Sequence, residues 1–508
     1  VARGGRGVEA RVLGFAGDRT LLTPLGPMTG ICRGDVVELV SSEQTIGVGE
    51  SMLGRVVDGR GRPIDDACGL RPERQMPIWP EPIAPMRRRR ISEALPVGVR
   101  AIDGLLTLGR GQRMGVLSGP GVGKSVLLGM IARNTAADAT VVALIGERGR
   151  EVREFIERDL GPEGLRRCVV VVSTGDEPPL LRVQAAAVAA CVAEYFRDRG
   201  GDVLLLMDSL TRLAAAQRQI GLVAGEPPAT KGYTPSVFNL LPELLERCGR
   251  TENGSITGVF TVLTEGEETT DPVADAARAS TDGHIVLSRE LASRGQWPAI
   301  DVLRSVSRVM LDVADAEHRA AAGEIRRLLA LHEEIEDLVR IGAYREGTDS
   351  EYDLAVRAVP EIRTLLTQGI EEKTDFDRTR RDLLALCRRL RADGALGKAS
   401  TGTSARRDRS QGGPSGQGQV VQRQRVAEAE AAAGAVGETG LHEGAFAGGG
   451  LPAAAGAAEG ASGRAGRRGE GGSAGGSDNY VALPAVGAAS RRIAEGGNGP
   501  PRGQGEAP

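Results

Sequence analysis

Seven residues, Gly119-Pro120-Gly121-Val122-Gly123-Lys124-Ser125, stand between an apolar run ending at Leu117 and a helical run that begins at Val126. Strand, glycine loop and helix in that order are the parts of a phosphate-binding loop. The glycines let backbone N–H groups turn inward around phosphate oxygens, and the helix N-terminus adds its positive end. In this reading Gly119 to Ser125 and Val126 bind the nucleotide, Lys124 reaches its terminal phosphates and Ser125 ligates Mg²⁺. Ser118 stands where the motif usually has its first glycine, and a small residue there still permits the loop.

The surrounding pattern fits such a loop. Between about residues 100 and 313, short apolar strands alternate with helical stretches, the mark of a mostly parallel sheet covered on both faces. The expected strands are Met114 to Leu117, Val141 to Ile145, Val169 to Val172, Val203 to Met207, Gly258 to Leu263 and Ile285 to Leu287. The fold class is therefore α/β, with a P-loop core. Residues 1–75 are β-like runs cut by glycine, including Asp35 to Val40 and Leu53 to Val57, which suits a small N-terminal β-barrel. The ATPase domain is placed at 76–313, with a proline-rich linker over 76–100 that contains the run Arg87 to Arg90. That run reads as solvated linker charge ahead of a phosphate site. From Ala316 to Arg391 apolar residues recur at three- and four-residue steps, giving a separate helical domain over 314–394.

Two carboxylates belong with the loop. Val203 to Met207 ends in Asp208, at the C-terminal edge of a buried strand, where open α/β sheets place ligand chemistry. Asp208 is suited to the Mg²⁺ shell. Glu147 follows the strand Val141 to Ile145 and sits at the same edge, with Glu151 one turn behind it. Glu147 is the candidate general base or water-orienting group for hydrolysis. On spacing alone Arg308 reads as a surface ion-pair residue.

Composition narrows the partners. With 64 Lys+Arg against 67 Asp+Glu, the net charge of -3 gives no cationic excess for nucleic acid or an anionic membrane. Residues 1–75 hold a single aromatic, Phe15, so a base-stacking barrel and an RNA translocase are disfavoured. Six scattered cysteines and four histidines signal neither a disulfide framework nor a zinc site. No spanning apolar stretch or signal-peptide pattern is present, and the chain reads as cytosolic. From Ala395 onward about a quarter of the residues are glycine and periodic apolar runs vanish, so 395–508 is expected to be a disordered low-complexity tail. An out-of-frame product of a GC-rich coding sequence would carry the same bias.

Taken together, these segments resemble the hexameric rotary-type ATPases: subunits of ATP synthases and the ATPases of type III protein export. Pro298-Ala-Ile-Asp301 with Ser305 and Ser307 is similar to that family's signature. The stretches Gly146 to Phe155, Asp208 to Ala214 and Gly221 to Gly249 resemble the export branch, with flagellar export ATPases the best match, over roughly residues 1–390. The resemblance implies a RecA-like core, ATP and Mg²⁺, and Glu147 as catalytic carboxylate. It also implies Arg148 as supporting residue, Glu151 as support on the metal side, and Arg308 as a finger into the next subunit's site. Trp297 stands where relatives usually have a tyrosine packing on adenine, and Tyr344 is a candidate for the other side of the base or for core packing.

The resemblance further implies a homohexamer driving chaperone release and export of flagellar proteins. Its expected partners are stalk-like and regulatory export proteins, chaperones with their substrates, and a membrane export gate reached from the inner face of the cell membrane. A virulence-type export ATPase shares this core. An ATP synthase catalytic subunit and a non-hydrolysing scaffold subunit fit less well.

Overall fold

The computed structural model describes residues 7–67, 69–264, 271–404 and 483–484. The chain divides into two units, one of Val1–Ala399 with Val481–Pro508 and one of Ser400–Tyr480. The described residues lie in the first, apart from the helical turn that ends at Ser404.

The N-terminal region is built from short antiparallel ladders. β1 (Ala10–Ala16) and β2 (Arg19–Pro24) form a hairpin, with Gly17 in the left-handed region at its turn, and Leu483–Pro484 pairs with β2. β3 (Thr45–Val48) pairs with β5 (Arg74–Pro77). β4 (Val56–Asp58), however, leaves this region and joins the main sheet. A closed barrel over 1–75 is therefore not what the described residues form. Val56 and Val57 are buried against a longer strand edge, whereas the Asp35 to Val40 run is irregular, with Val37, Leu39 and Val40 exposed.

The main strands are β6 (Arg113–Ser118), β7 (Ala139–Glu147), β8 (Cys168–Thr174), β9 (Asp202–Asp208), β10 (Gly249–Arg250), β11 (Ser255–Leu263), β12 (Gly283–Leu287) and β13 (Ile300–Ser307). All six expected strands are among them. Their order is β13-β12-β6-β11-β9-β7-β8-β4, with β10 beside β11. The ladders from β12 through to β4 are parallel, and β13 runs antiparallel to β12.

Because successive side chains point to opposite faces, each valine-rich strand feeds two apolar layers. Val142, Leu144, Val170 and Leu206 enter one, and Val141, Ile145, Val171 and Leu205 the other. The second layer is closed by the helix Pro179–Asp198, which is long and apolar enough to cross a membrane but is 89% buried inside the protein. The first is closed by the helix Lys124–Asn134 and by the C-terminal helices Ala316–Arg340, Ser350–Leu366 and Phe376–Ser404.

The helical region packs closely on the sheet, since Ile325, Leu328, Ile362 and Leu386 share a core with it. His318 Nε2 lies 2.8 Å from the Gly104 carbonyl, and Arg100 Nε donates to the Leu365 carbonyl at 2.8 Å. The last helix continues past residue 394 to Ser404, over the helix formers Ala395, Leu396, Lys398 and Ala399. The rest of the expected tail, other than Leu483–Pro484, lies outside the described residues.

The linker is fastened to the core. Arg88 Nη1 donates to the Cys248 carbonyl at 2.9 Å, the Arg89 N–H donates to the Arg250 carbonyl, and Arg89 and Arg90 pair with Glu252 and Asp312. This arginine run is a structural latch. Further in, the buried Arg247–Glu194 pair at 2.6 Å also donates to the Ile78 carbonyl.

Candidate active site

β6 ends at Ser118, and the chain turns through Gly119 to Gly123 before the helix Lys124–Asn134 starts. Gly121 (φ 77°) and Gly123 (φ 85°) occupy the left-handed region, which a residue with a Cβ enters only at a cost. Gly123 caps the helix without a side-chain bond, and its carbonyl accepts from the Leu127 N–H. The N–H groups of Lys124, Ser125 and Val126, at the start of the helix, therefore have no partner within it. Val126's side chain packs on the core, so only its backbone serves the site. Ser125 is exposed at the first turn.

Three strand ends converge on this loop. Lys124 Nζ lies 2.5 Å from Asp208 Oδ1 at the end of β9 and 3.4 Å from Glu147 Oε1 at the end of β7. Both carboxylates are buried. Thr261 Oγ1, on β11, donates to Asp208 Oδ1 at 2.7 Å. Arg212 Nη1 lies 2.6 Å from Glu147 Oε2 and also donates to the Gly146 carbonyl. Burial pushes the Glu147 carboxyl up to about 7, helped by its hydrogen bond to Glu151 and by the Asp208 charge, and opposed by Lys124 and Arg212. Glu151 is correspondingly held down, chiefly by that same bond. Glu151 stands behind Glu147, half exposed, 3.7 Å from the outward-facing Arg148.

Trp297 comes to the loop from another direction. A Cβ placed on Gly123 would lie 2.8 Å from Trp297 Cζ3, so the indole packs directly on the loop backbone while 40% exposed. Gln368 fixes the neighbouring backbone, its N–H donating to the Trp297 carbonyl at 2.8 Å. Tyr344 is held elsewhere, its hydroxyl donating to Asp353 Oδ1 at 2.6 Å in the turn between the first two C-terminal helices. That contact fits the packing alternative.

Arg308 does not join the cluster. Ser307 pairs with Gly283, and the Arg308 N–H donates to the Asp282 carbonyl, which places it at the end of the sheet where β6 begins. The loop leaves the other end of β6, five residues and about 16 Å along the strand. The guanidinium is exposed, and no ion pair holds it among the described residues.

Three residues here were not singled out from sequence: Arg212, Thr261 and Arg289, whose Nη2 donates to the Pro120 carbonyl at 3.4 Å. Arg212 follows Asp208 by one helical turn, and that spacing was a usable signal. Thr261 and Arg289 meet the site only through sheet pairing.

A glycine loop, a partly buried lysine and two acidic strand ends define a nucleotide-binding α/β ATPase core. Residues 98–307 match the nucleotide-binding domain of the ATP synthase alpha/beta family, and residues 314–385 match the T3SS EscN ATPase C-terminal domain. The chain is 52% identical to the flagellum-specific ATP synthase of Pseudomonas aeruginosa over 75% of this chain and 84% of that one. It is 50% identical to the type 3 secretion system ATPase of Xanthomonas euvesicatoria over 73% and 84% respectively. Among solved structures, the assembled ATPase EscN of the enteropathogenic E. coli type III secretion system superposes with a TM-score of 0.73 at 43% identity, over 76% of this chain and 94% of that one. The chain belongs to the ATP synthase alpha/beta family, alongside the flagellum-specific ATP synthases and type III secretion ATPases. It is an ATPase, and its nucleotide is ATP.

Proposed function

We propose that this chain is the ATP-hydrolysing motor of a flagellar type III protein-export apparatus, working as a homohexamer in which each site is shared by two copies. The observation that carries the shared site is Arg308, which lies at the end of the sheet away from its own loop and carries a free guanidinium among the described residues. An exposed arginine so placed serves a neighbour's phosphates, where such a group is worth roughly 10³ to 10⁵ in rate.

Within one copy, the loop N–H groups and Lys124 bind the phosphates, exchanging the lysine's carboxylate contacts for phosphate oxygens. Glu147, kept dry by burial and steadied by Arg212, orients the attacking water and takes up its proton. Arg148 supports the site from its rim, and Trp297 offers its exposed face to the base. The donor set suits Mg²⁺, since Ser125 and Asp208 are hard oxygen donors and such sites complete their shell with phosphate and water. Bound there, Mg²⁺ would neutralise charge developing on the transferred phosphoryl group. Glu151, bonded to Glu147, is better supported as that carboxylate's partner than as a metal ligand.

Similarity to flagellum-specific relatives supports flagellar export, and the match of 314–385 to the secretion-type C-terminal domain keeps a virulence-type system as the second reading. A relative, EscN, is described as assembled and in complex with its central stalk EscO, which supports a ring with a stalk partner for this chain. Release of chaperones and substrates at a cytoplasmic site beneath a membrane export gate completes the proposal.

The test is complementation between dead variants. Glu147→Gln and Arg308→Ala are each expected to be inactive alone. Mixed in equal amounts they should regain turnover at about a quarter of the sites, because chance pairs an intact Glu147 with an intact Arg308 that often. A mixture as inactive as its components rules out the shared site.

A further inference from the structure

A cleft of about 200 Å³ lies between the end of β13 and the helix Ala316–Arg340. Its rim is apolar and open, with Val306 41% and Leu311 70% exposed. Its walls carry two guanidinium groups, neither paired with a carboxylate among the described residues. Arg326 donates to the Ser305 carbonyl at 3.2 Å and to the Leu105 carbonyl at 3.0 Å, and burial alone pushes its pKa down. Arg319 donates to the Leu311 carbonyl. The nearby acids are engaged by other cations: Asp312 by Arg90, Asp315 and Glu317 by Arg380, and Glu324 by Arg327. Two cations without a carboxylate partner thus line the cleft, Arg326 partly buried and Arg319 exposed at its edge, and a carboxylate seated there would gain charge-assisted hydrogen bonds.

Gly323 is among the residues that line the cleft, and it is exposed. Glycine inside a helix costs stability relative to alanine. Crowding within this chain does not explain its presence, because a Cβ there would meet nothing within 4 Å. What the glycine leaves is open space along this side of the cleft.

We propose that this cleft is a socket for an acidic side chain of a second copy of this chain, seated so that the adjacent Arg308 enters the neighbour's nucleotide site. Ser307 lines the cleft and directly precedes Arg308, so the socket and the finger are neighbours along the chain. The missing negative charge and the apolar rim both fit a Glu or Asp flanked by apolar residues on that surface. The socket rests on the shared-site reading above and gives it a register: one copy docks on another at the position that aims Arg308.

The experiment uses the full chain with Mg-ATP, measuring assembly by mass photometry across a dilution series alongside turnover. Gly323→Leu fills open space along the cleft, and Arg319→Glu places a like charge against the incoming acid at an exposed position. Each is expected to raise the protein concentration at half-assembly at least tenfold, with nucleotide affinity and melting temperature of the dilute protein unchanged. Gly323→Ala, the gentlest filler, should give a smaller shift in the same direction. In a Gly323→Cys variant, maleimide labelling at residue 323, read by peptide mass, should be suppressed on assembly.

Assembly of both variants at the wild-type concentration overturns the socket, as does equal labelling of dilute and assembled Gly323→Cys. Protection of that cysteine by ATP or inorganic phosphate in dilute protein would overturn the second copy as occupant. Turnover per chain that stays constant on dilution of the wild type overturns the shared site itself. Concentration-dependent turnover with a dead Arg308→Ala and unshifted variants sinks the socket alone.

Discussion

Replacing Gly123 by alanine tests the contact between the phosphate loop and Trp297. At φ 85° and ψ 20° an L-residue carries a backbone penalty of about 1–2 kcal/mol. The new methyl would also stand 2.8 Å from Trp297 Cζ3 and 3.3 Å from Cε3, inside van der Waals contact. The ring is 40% exposed and can give way outward, but the Gln368 bond to its own carbonyl resists movement of the backbone. If the backbone penalty falls on the nucleotide-competent loop, affinity drops roughly 5- to 30-fold at about 1.4 kcal/mol per decade. The steric part adds to this and should vanish when the indole is absent. Isothermal titration with ATP on wild type, Gly123→Ala, Trp297→Ala and the double variant isolates that part as a coupling energy, expected at about 0.5–1.5 kcal/mol. Wild-type affinity in Gly123→Ala, or strict additivity in the cycle, would refute the contact and with it the siting of Trp297.

Thr261→Val keeps the shape of the side chain and removes the donor to Asp208, so turnover should fall while the protein stays folded, with a stability loss of about 1–3 kcal/mol by denaturant titration. Arg247→Met strands Glu194 in the core and should cost about 3–5 kcal/mol in the same measurement, the highest cost of the set. His318 is buried, which lowers its pKa below the ordinary 6.5, so the folded state binds its proton less tightly than the unfolded state. Its contribution is therefore intact above about pH 6.5 and declines as pH falls through that value. Thermal melts from pH 7.5 to 5 should show the decline in wild type and a flatter profile in His318→Gln.

Most of the core was legible because the information is local. Val169 to Val172 can only be a strand buried on both faces, and Gly119 to Ser125 carries its own stereochemistry. Glu147 and Asp208 were readable because a parallel sheet sends the ends of its strands to one edge. What failed was set by distant pairing. Nothing near Val56 says that its partner is Val170, and no spacing places Thr261 on Asp208 or the Trp297 ring on Gly123. The helical region was legible from its self-contained periodicity, but not that its stripe of Ile325 and Leu328 packs against the sheet.

The placement of β4 bears on how this protein can be cut. A version trimmed to begin at residue 76, at the boundary the composition suggests, would strip the covering strand from Cys168–Thr174 and leave a naked row of valine-flanked backbone donors and acceptors. Such a fragment would recruit copies of itself edge to edge and precipitate, whereas one retaining Val56 to Asp58 keeps that border sealed.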